Sequence, residues 1–200
     1  DRLVGRLNKP VPPAALKKID TLTTTRIQTR RPLAYLLKEA WFAGRKFYVD
    51  ERVIVPRSLT GEFIAEQFQP WIDVRRVRRI LDLCTGSGCM AIACAQAFPK
   101  ARVDAADLSE AALAVARLNV KHHRLGQRVK PFHSDLFKSL KGRKYDVIVT
   151  NPPYVARAEM KTLPREYRHE PEVALVSGRD GLDAIVRIDR DQSLMKTFAA

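Results

Sequence analysis

The stretch RILDLCTGSGCMAIACAQAF, Arg79–Phe98, sets three patterns end to end. RILDLC is a short apolar run of strand length. TGSG supplies two glycines at a turn. CMAIACAQAF is apolar all round, and its alanines let a helix lie close to a sheet. Strand, glycine loop and buried helix together form the first half of a βαβ unit. Three further segments repeat the alternation. ARVDAAD (101–107) reads as a second strand. SEAALAVARLNVKHHRLG (109–126) reads as a helix, with Ser109 as its N-cap, basic residues near its C-terminus and Gly126 as its stop. RVKPFHSD (128–135) and YDVIVTN (145–151) read as a third and a fourth strand. Strands alternating with helices of this length predict an α/β fold with a parallel sheet.

Upstream the pattern is different. PVPPAALKKIDTL (10–22) begins with prolines and then allows a helix. RPLAYLLKEAWFAG (31–44) is an apolar segment that stops at Gly44. KFYVDERVIV (46–55) alternates at Phe47 and Val49, breaks at Asp50–Arg52 and resumes at Val53 and Val55, which predicts a short hairpin. SLTGEFIAEQFQPWI (58–72) spaces Phe63, Ile64 and Phe68 as a helix does. The expected division is an N-terminal helical region over 1–45, a hairpin and linker helix over 46–77, and the α/β domain over 78–200.

Composition narrows the function classes. No apolar run approaches the roughly 18 residues of a membrane span, and the first residues, DRLVGRLNKPVPP, lack an apolar signal region. Three cysteines, Cys84, Cys89 and Cys94, make a poor disulfide framework and fit a reducing, cytoplasmic setting. Their spacing of five sets successive side chains about 140° apart on a helix, so no metal site is expected. The net charge of +14 points to an acidic partner, most often nucleic acid or a particle containing it. The basic clusters RRVRR (75–79) and KSLKGRK (138–144) carry no interleaved aromatics of the kind a base-stacking platform needs.

Ligands of open parallel sheets bind beyond the carboxyl ends of the strands, and four such ends are informative. The first gives Asp82, Gly86 and Gly88 as D-x-x-x-G-x-G. It is not the dinucleotide fingerprint, because Ala91 stands where the last glycine would be. A bare tight turn would explain these glycines as well. The second gives Asp107, 21 residues beyond Gly86, a separation suited to a carboxylate on ribose hydroxyls; helix capping beside Ser109 is the plainer alternative. The third gives Asp135, an acceptor for an adenine amino group, with Leu136 and Phe137 against the ring. Together these ends describe a nucleoside pocket without naming the nucleoside.

The fourth end is Asn151-Pro152-Pro153-Tyr154. A planar amide nitrogen is a weak nucleophile, because its lone pair is delocalised. A site that accepts both of its N–H protons orients it for attack. Asn151 offers a side-chain carbonyl, Pro152 a backbone carbonyl on a turn of fixed φ, and Tyr154 a face against which a flat group packs.

At these residues the sequence resembles the class I S-adenosylmethionine-dependent methyltransferases. NPPY is shared by enzymes acting on exocyclic amines of nucleic-acid bases and by enzymes acting on glutamine side chains. Four segments, RPLAYLLKEAWFAGRKFYVDERVIVPRS (31–58), ILDLCTGSGCMAIACA (80–95), SDLF (134–137) and NPPYVARAEMKTLPREYRHEPEVALVSGRDGLD (151–183), are similar to the bacterial glutamine methyltransferases of large-subunit ribosomal protein three. The resemblance runs from about Arg31 to Ile188. It implies a Rossmann-like methyltransferase sheet with a small N-terminal helical region and a linking hairpin. It implies S-adenosylmethionine as cofactor, with S-adenosylhomocysteine as product.

By the same resemblance, Asp82 and Cys84, Thr85, Gly86, Ser87 and Gly88 contact the methionine part, Asp107 the ribose, and Asp135 and Leu136 the adenine. Leu136 stands where release-factor relatives often carry a tryptophan. Asn151 touches cofactor and substrate, and Asn151 to Tyr154 hold the glutamine. The implied partner is a large-subunit ribosomal protein, met near ribosomal RNA in assembly intermediates. Methylation of a release-factor glutamine or of an adenine amine, and a ribosome-binding protein with an inactive fold, are the alternatives. The fold normally has seven strands and four are placed, and DRDQSLMKTFAA (189–200) follows Ile188 directly. A missing segment near 188–189 is therefore expected, with a break in the structure at that point.

Overall fold

The computed structural model describes residues 10–191 and Leu194. Most of the tail and the first nine residues, on which the export-signal and C-terminal expectations partly rest, lie outside the described residues. Helix α1 (Pro13–Thr29) starts with proline at its first position, where a missing N–H costs nothing. A short helix α2 (Leu33–Leu37) leads into the antiparallel pair β1 (Ala40–Phe42) and β2 (Arg45–Phe47). Helix α3 (Thr60–Ala65) follows.

The hairpin is present but sits at residues 40–47, not at 46–55. Ala43 and Gly44 both take left-handed φ, at 46° and 70°, which is the twist a two-residue hairpin turn requires. The Asp50–Arg52 stretch is not a hairpin tip. Asp50 is buried and accepts from the backbone N–H of Arg52, from its guanidinium and from Tyr48 Oη, curling the chain there into a turn. The Arg52 guanidinium holds the Asp50 carboxyl down at about 2.

The sheet is parallel, in the order β5-β4-β3-β6. Its strands are β3 (Arg79–Leu83), β4 (Arg102–Asp107), β5 (Val129–His133) and β6 (Val147–Thr150). Helix α4 (Cys89–Ala97) follows β3 and helix α5 (Glu110–His122) follows β4. Alternate residues of β3 serve opposite faces, as a pleated strand demands. Ile80 packs with Ile92, Phe98, Val103 and Val120 on one face. Leu81 and Leu83 pack with Leu140, Tyr145 and Leu194 on the other. Seven of the nine α4 residues are buried, which explains a helix with no polar side.

Ser109 caps α5, its Oγ accepting from Ala112 N–H. The helix does not stop at Gly126. It ends at His122, and Arg124 takes the left-handed conformation instead, at φ 58°. Helix α6 (Asp183–Arg190) closes the described structure, and it runs through Ile188 and Asp189 without a break. Strand order reverses between β3 and β6, so the loops after these two strands flank the switch point, where open sheets bind ligands.

Candidate active site

The loop after β3 is fixed by its glycines and by a buried aspartate. Cys84, Gly86 and Gly88 all take left-handed φ. At Gly88 a Cβ would lie 3.2 Å from Ala116 Cβ, so only glycine lets the start of α4 rest against α5. At Gly86 a Cβ would meet nothing within 4 Å. Its backbone faces open space, as a ligand cradle does.

Asp82 lies beneath this loop with no exposed surface. Its Oδ2 accepts from Thr85 Oγ1 at 2.5 Å and from Ala91 N–H at 2.9 Å. Its Oδ1 has no partner among the described residues. Burial pushes the carboxyl up to about 7, against the opposing pull of the Thr85 and Ala91 bonds. Burial also pushes the Cys84 thiol up to about 12, so this cysteine is a neutral wall and not a nucleophile.

Asp107 is held by two backbone donors, Gly86 N–H at 2.8 Å and Ser109 N–H at 2.9 Å. These bonds give Asp107 a local structural role at the start of α5 and a second one at the glycine loop. One carboxylate oxygen serves the start of α5 and the other the glycine loop, and a carboxylate keeps lone pairs for further donors. Burial raises its pKa. Asp135 is paired: Lys138 Nζ lies 2.6 Å from Oδ2, and Arg187 Nη2 of α6 lies 2.8 Å from Oδ1. These bonds lower its pKa, that from Lys138 most.

The NPPY turn leaves β6 at the switch point. Tyr154 is exposed. Val155 N–H donates to Leu175 O and Ser177 N–H to Val155 O, which pins the turn to the 175–177 segment. Gly181 approaches so closely that a Cβ there would lie 2.4 Å from Tyr154 O.

A cleft opens here, at the carboxyl ends of the strands, where open sheets bind ligands. Cys84, Gly86, Asp107, Asp135, Leu136, Asn151 and Pro153 line it. A second, adjoining hollow is walled by Phe42, Pro56, Arg57, Thr85, Ser87 and Met90. Ile54, Cys84, Gly86 and Asn151 belong to both. Asn151 thus stands on the partition between two cavities. Asp82, Gly88, Pro152 and Tyr154 line neither.

Several residues of the site are not legible in the sequence. Leu108 is half exposed on the cleft wall beside Asp107. Asn119, wholly buried on α5, accepts from Tyr48 N–H and donates to Tyr48 O and Ser87 O, tying the hairpin region to the glycine loop. Arg57 makes a two-pronged pair with Glu170 at 2.8 and 2.6 Å, and its guanidinium lies 4.5 Å over the Tyr167 ring. That pair joins the wall of the second hollow to the 171–174 wall of the cleft. An ion pair 113 residues apart leaves no local pattern.

Comparison with known proteins fits this geometry. The methyltransferase small domain model matches residues 62–170. The ribosomal protein uL3 glutamine methyltransferase of Francisella tularensis subsp. tularensis (strain SCHU S4 / Schu 4) is 53% identical over 160 residues, which is 80% of this chain and 51% of that protein. The protein of the same description from Burkholderia pseudomallei (strain K96243) is 47% identical over 196 residues, 94% of this chain and 64% of that protein. The chain therefore spans between half and two thirds of the length of these curated relatives.

Among solved structures, the hMettl16 catalytic domain in complex with MAT2A 3'UTR hairpin 6 superposes with a TM-score of 0.56 at 16% identity, over 74% of this chain and 56% of that one. The delta-N METTL16 MTase domain gives 0.52 at 18%, over 91% and 73%. At such identities these two share the fold alone. The family model accounts for more than half of the residues and takes in the β3 loop, Asp107, Asp135 and the NPPY turn, and the chain belongs to the methyltransferase small domain family.

Proposed function

We propose that this chain carries the catalytic part of an S-adenosylmethionine-dependent protein-glutamine N-methyltransferase whose substrate is ribosomal protein uL3. The observation that carries this is the place of Asn151, on the partition between a cleft lined by Gly86, Asp107 and Asp135 and a second hollow. A transferase needs donor and acceptor on opposite sides of one reacting atom. Identity of 53% and 47% to uL3 glutamine methyltransferases supports the choice of acceptor. The division at 1–45, 46–77 and 78–200, with its first limit moved ahead of β1 at Ala40 to keep the hairpin whole, and a cytoplasmic setting belong to the same proposal. No helix of the described residues is long and apolar enough to cross a membrane.

The residues present fit the cofactor. The Gly86 backbone is open to a ligand, Asp107 is oriented with lone pairs to spare, and Asp82 keeps one buried oxygen unpartnered. Asp107 would hold the ribose, Asp135 and Leu136 the adenine end with Leu108 beside them, and Asp82 with the 84–88 loop the methionine end. When bound, S-adenosylmethionine supplies an electrophilic methyl group on a sulfonium centre.

The chain's own task is placement. Asn151 Oδ1 accepts one proton of the glutamine amide, and Pro152 O accepts the other. Tyr154, exposed and outside both hollows, would pack along the amide plane once substrate is present. With both N–H bonds directed, the nitrogen lone pair is aimed along one line, and positioning supplies most of the acceleration. The nitrogen sheds its extra proton to water afterwards, so no strong base is required. Arg57–Glu170 and Gly181 keep the two walls and the turn in register. The test is transfer of a labelled methyl group by the full-length enzyme to uL3. Label on a glutamine side chain supports the proposal, and label on nucleic acid alone overturns it.

A further inference from the structure

The charge of this protein is concentrated at one end of the sheet, and not the end that holds the site. The four segments that enter the amino ends of the strands are residues 73–79, 99–102, 123–130 and 141–146. Together they carry twelve lysines and arginines against Asp73 and Asp146, and with Asp104, which lines the same face, the net is +9 of the chain's +14. Ten of the twelve are exposed; only Arg128 and Arg143 are half-buried. The strands start side by side, in the order β5-β4-β3-β6, so the four segments form one continuous face. At its centre Arg79, Arg102, Arg128, Lys130 and Arg143 surround a hollow whose one carboxylate is Asp104.

That carboxylate orders the cations without cancelling them. Asp104 Oδ2 accepts from Tyr145 Oη at 2.6 Å, from Arg143 at 2.9 Å and from Arg79 at 3.4 Å. The Arg143 guanidinium lies 4.9 Å over the Phe132 ring, and that of Arg79 lies 5.2 Å over Tyr145. Pre-ordered guanidiniums lose less entropy when they meet phosphate. Tyr145 is buried, and no exposed Phe, Trp or Tyr occurs in the four segments. Trp71, exposed beside Arg76 and Asp146, is a lone ring at the edge of the face; many phosphate contacts and no row of stacking rings suit a double-helical backbone better than splayed single-stranded bases.

We propose that the face at the amino ends of β3–β6 is a docking surface for double-helical RNA, held through its phosphates. Strands of four to six residues separate this face from the cleft by on the order of 15 Å. RNA can therefore be held at one end of the sheet while a protein segment enters at the other. The proposal does not depend on which amine the enzyme methylates, and its test measures binding only.

The probe is a fluorescein-labelled RNA hairpin of about 20 base pairs, titrated with the full chain by anisotropy between about 50 and 200 mM salt. Arg102→Glu with Lys130→Glu should weaken binding by about tenfold or more and lower the slope of log affinity against log salt by about 2. Lys17→Glu with Lys18→Glu on α1 makes the same change in net charge and should cost less than about threefold. Arg102→Gln with Lys130→Gln, the gentler pair, should lower the slope by the same amount. Equal losses from the β-face pair and the α1 pair would overturn the surface. So would absent RNA binding, or polyglutamate bound as tightly as the hairpin with the same sensitivity to Arg102 and Lys130, which would assign the face to an acidic protein.

Discussion

Asp82→Asn should change how stability depends on pH, in a direction and size set by burial. The carboxyl is fully buried and stands at about 7 in the folded chain, against an ordinary value of 3.8. In the unfolded chain it returns to that ordinary value. Between about pH 4 and pH 7 the folded state therefore holds one more proton than the unfolded state, and stability falls as pH rises through that window. Three pH units at about 1.4 kcal/mol each make the loss about 4 kcal/mol. Asparagine carries no charge at any pH, and its carbonyl can accept the bonds that Thr85 and Ala91 now give to Oδ2. Urea unfolding of parent and variant, without cofactor, isolates this group together with its charge coupling to Asp107, because titrations that do not sense Asp82 cancel in the difference. The unfolding free energy of the variant minus that of the parent should be about 4 kcal/mol more positive at about pH 8 than at about pH 4. A difference that is flat with pH would refute the account of Asp82 as a buried acid beneath the loop.

Asn151→Ala should keep the fold and most cofactor affinity but lose transfer by roughly two orders of magnitude or more, the scale of losing a positioning contact; near-normal turnover would refute its role. Gly181→Ala places a Cβ 2.4 Å from Tyr154 O at a left-handed φ of 85°. It should cost about 2 kcal/mol or more of stability and lower kcat more than it lowers affinity for S-adenosylhomocysteine, measured by stopped assays and calorimetry. Arg57→Ala leaves the Glu170 carboxylate, whose side chain is 1% exposed, buried and unpaired. It should destabilise by about 3 kcal/mol in thermal or urea unfolding, with Arg57→Lys recovering only part because a single ammonium cannot make both bonds.

How much of this was legible in the sequence depended on whether the signal was local. The β3–loop–α4 unit could be read because an apolar run, two glycines and a wholly apolar helix fall within twenty residues. The 21-residue distance marks Asp107, which the fold brings within hydrogen-bond reach of Gly86, and the residue types of the NPPY turn mark the end of β6. Phe47, Val49, Val53 and Val55 alternate as a strand does and so point to a hairpin at 46–55, whereas the Asp50–Arg52 ion pair bends that backbone and the left-handed pair at Ala43–Gly44 turns the chain earlier. Gly126 looked like a helix stop, but Arg124 two residues before it adopted the left-handed conformation. Asn119 and the Arg57–Glu170 pair are tertiary by nature: each joins segments far apart in the chain, and nothing in their immediate neighbourhood marks them. The basic clusters were visible one by one. Only the parallel order of the strands shows that they share a face.

The most direct measurement of the central claim is the position of the methyl group. Full-length enzyme is incubated with methyl-labelled S-adenosylmethionine, uL3 and ribosomal RNA, and the products are separated and analysed by tandem mass spectrometry. Label on the side-chain nitrogen of one uL3 glutamine, lost with Asn151→Ala, is the predicted result. Label on an adenine amine with none on protein, or transfer to glutamine that is indifferent to Asn151, would contradict it.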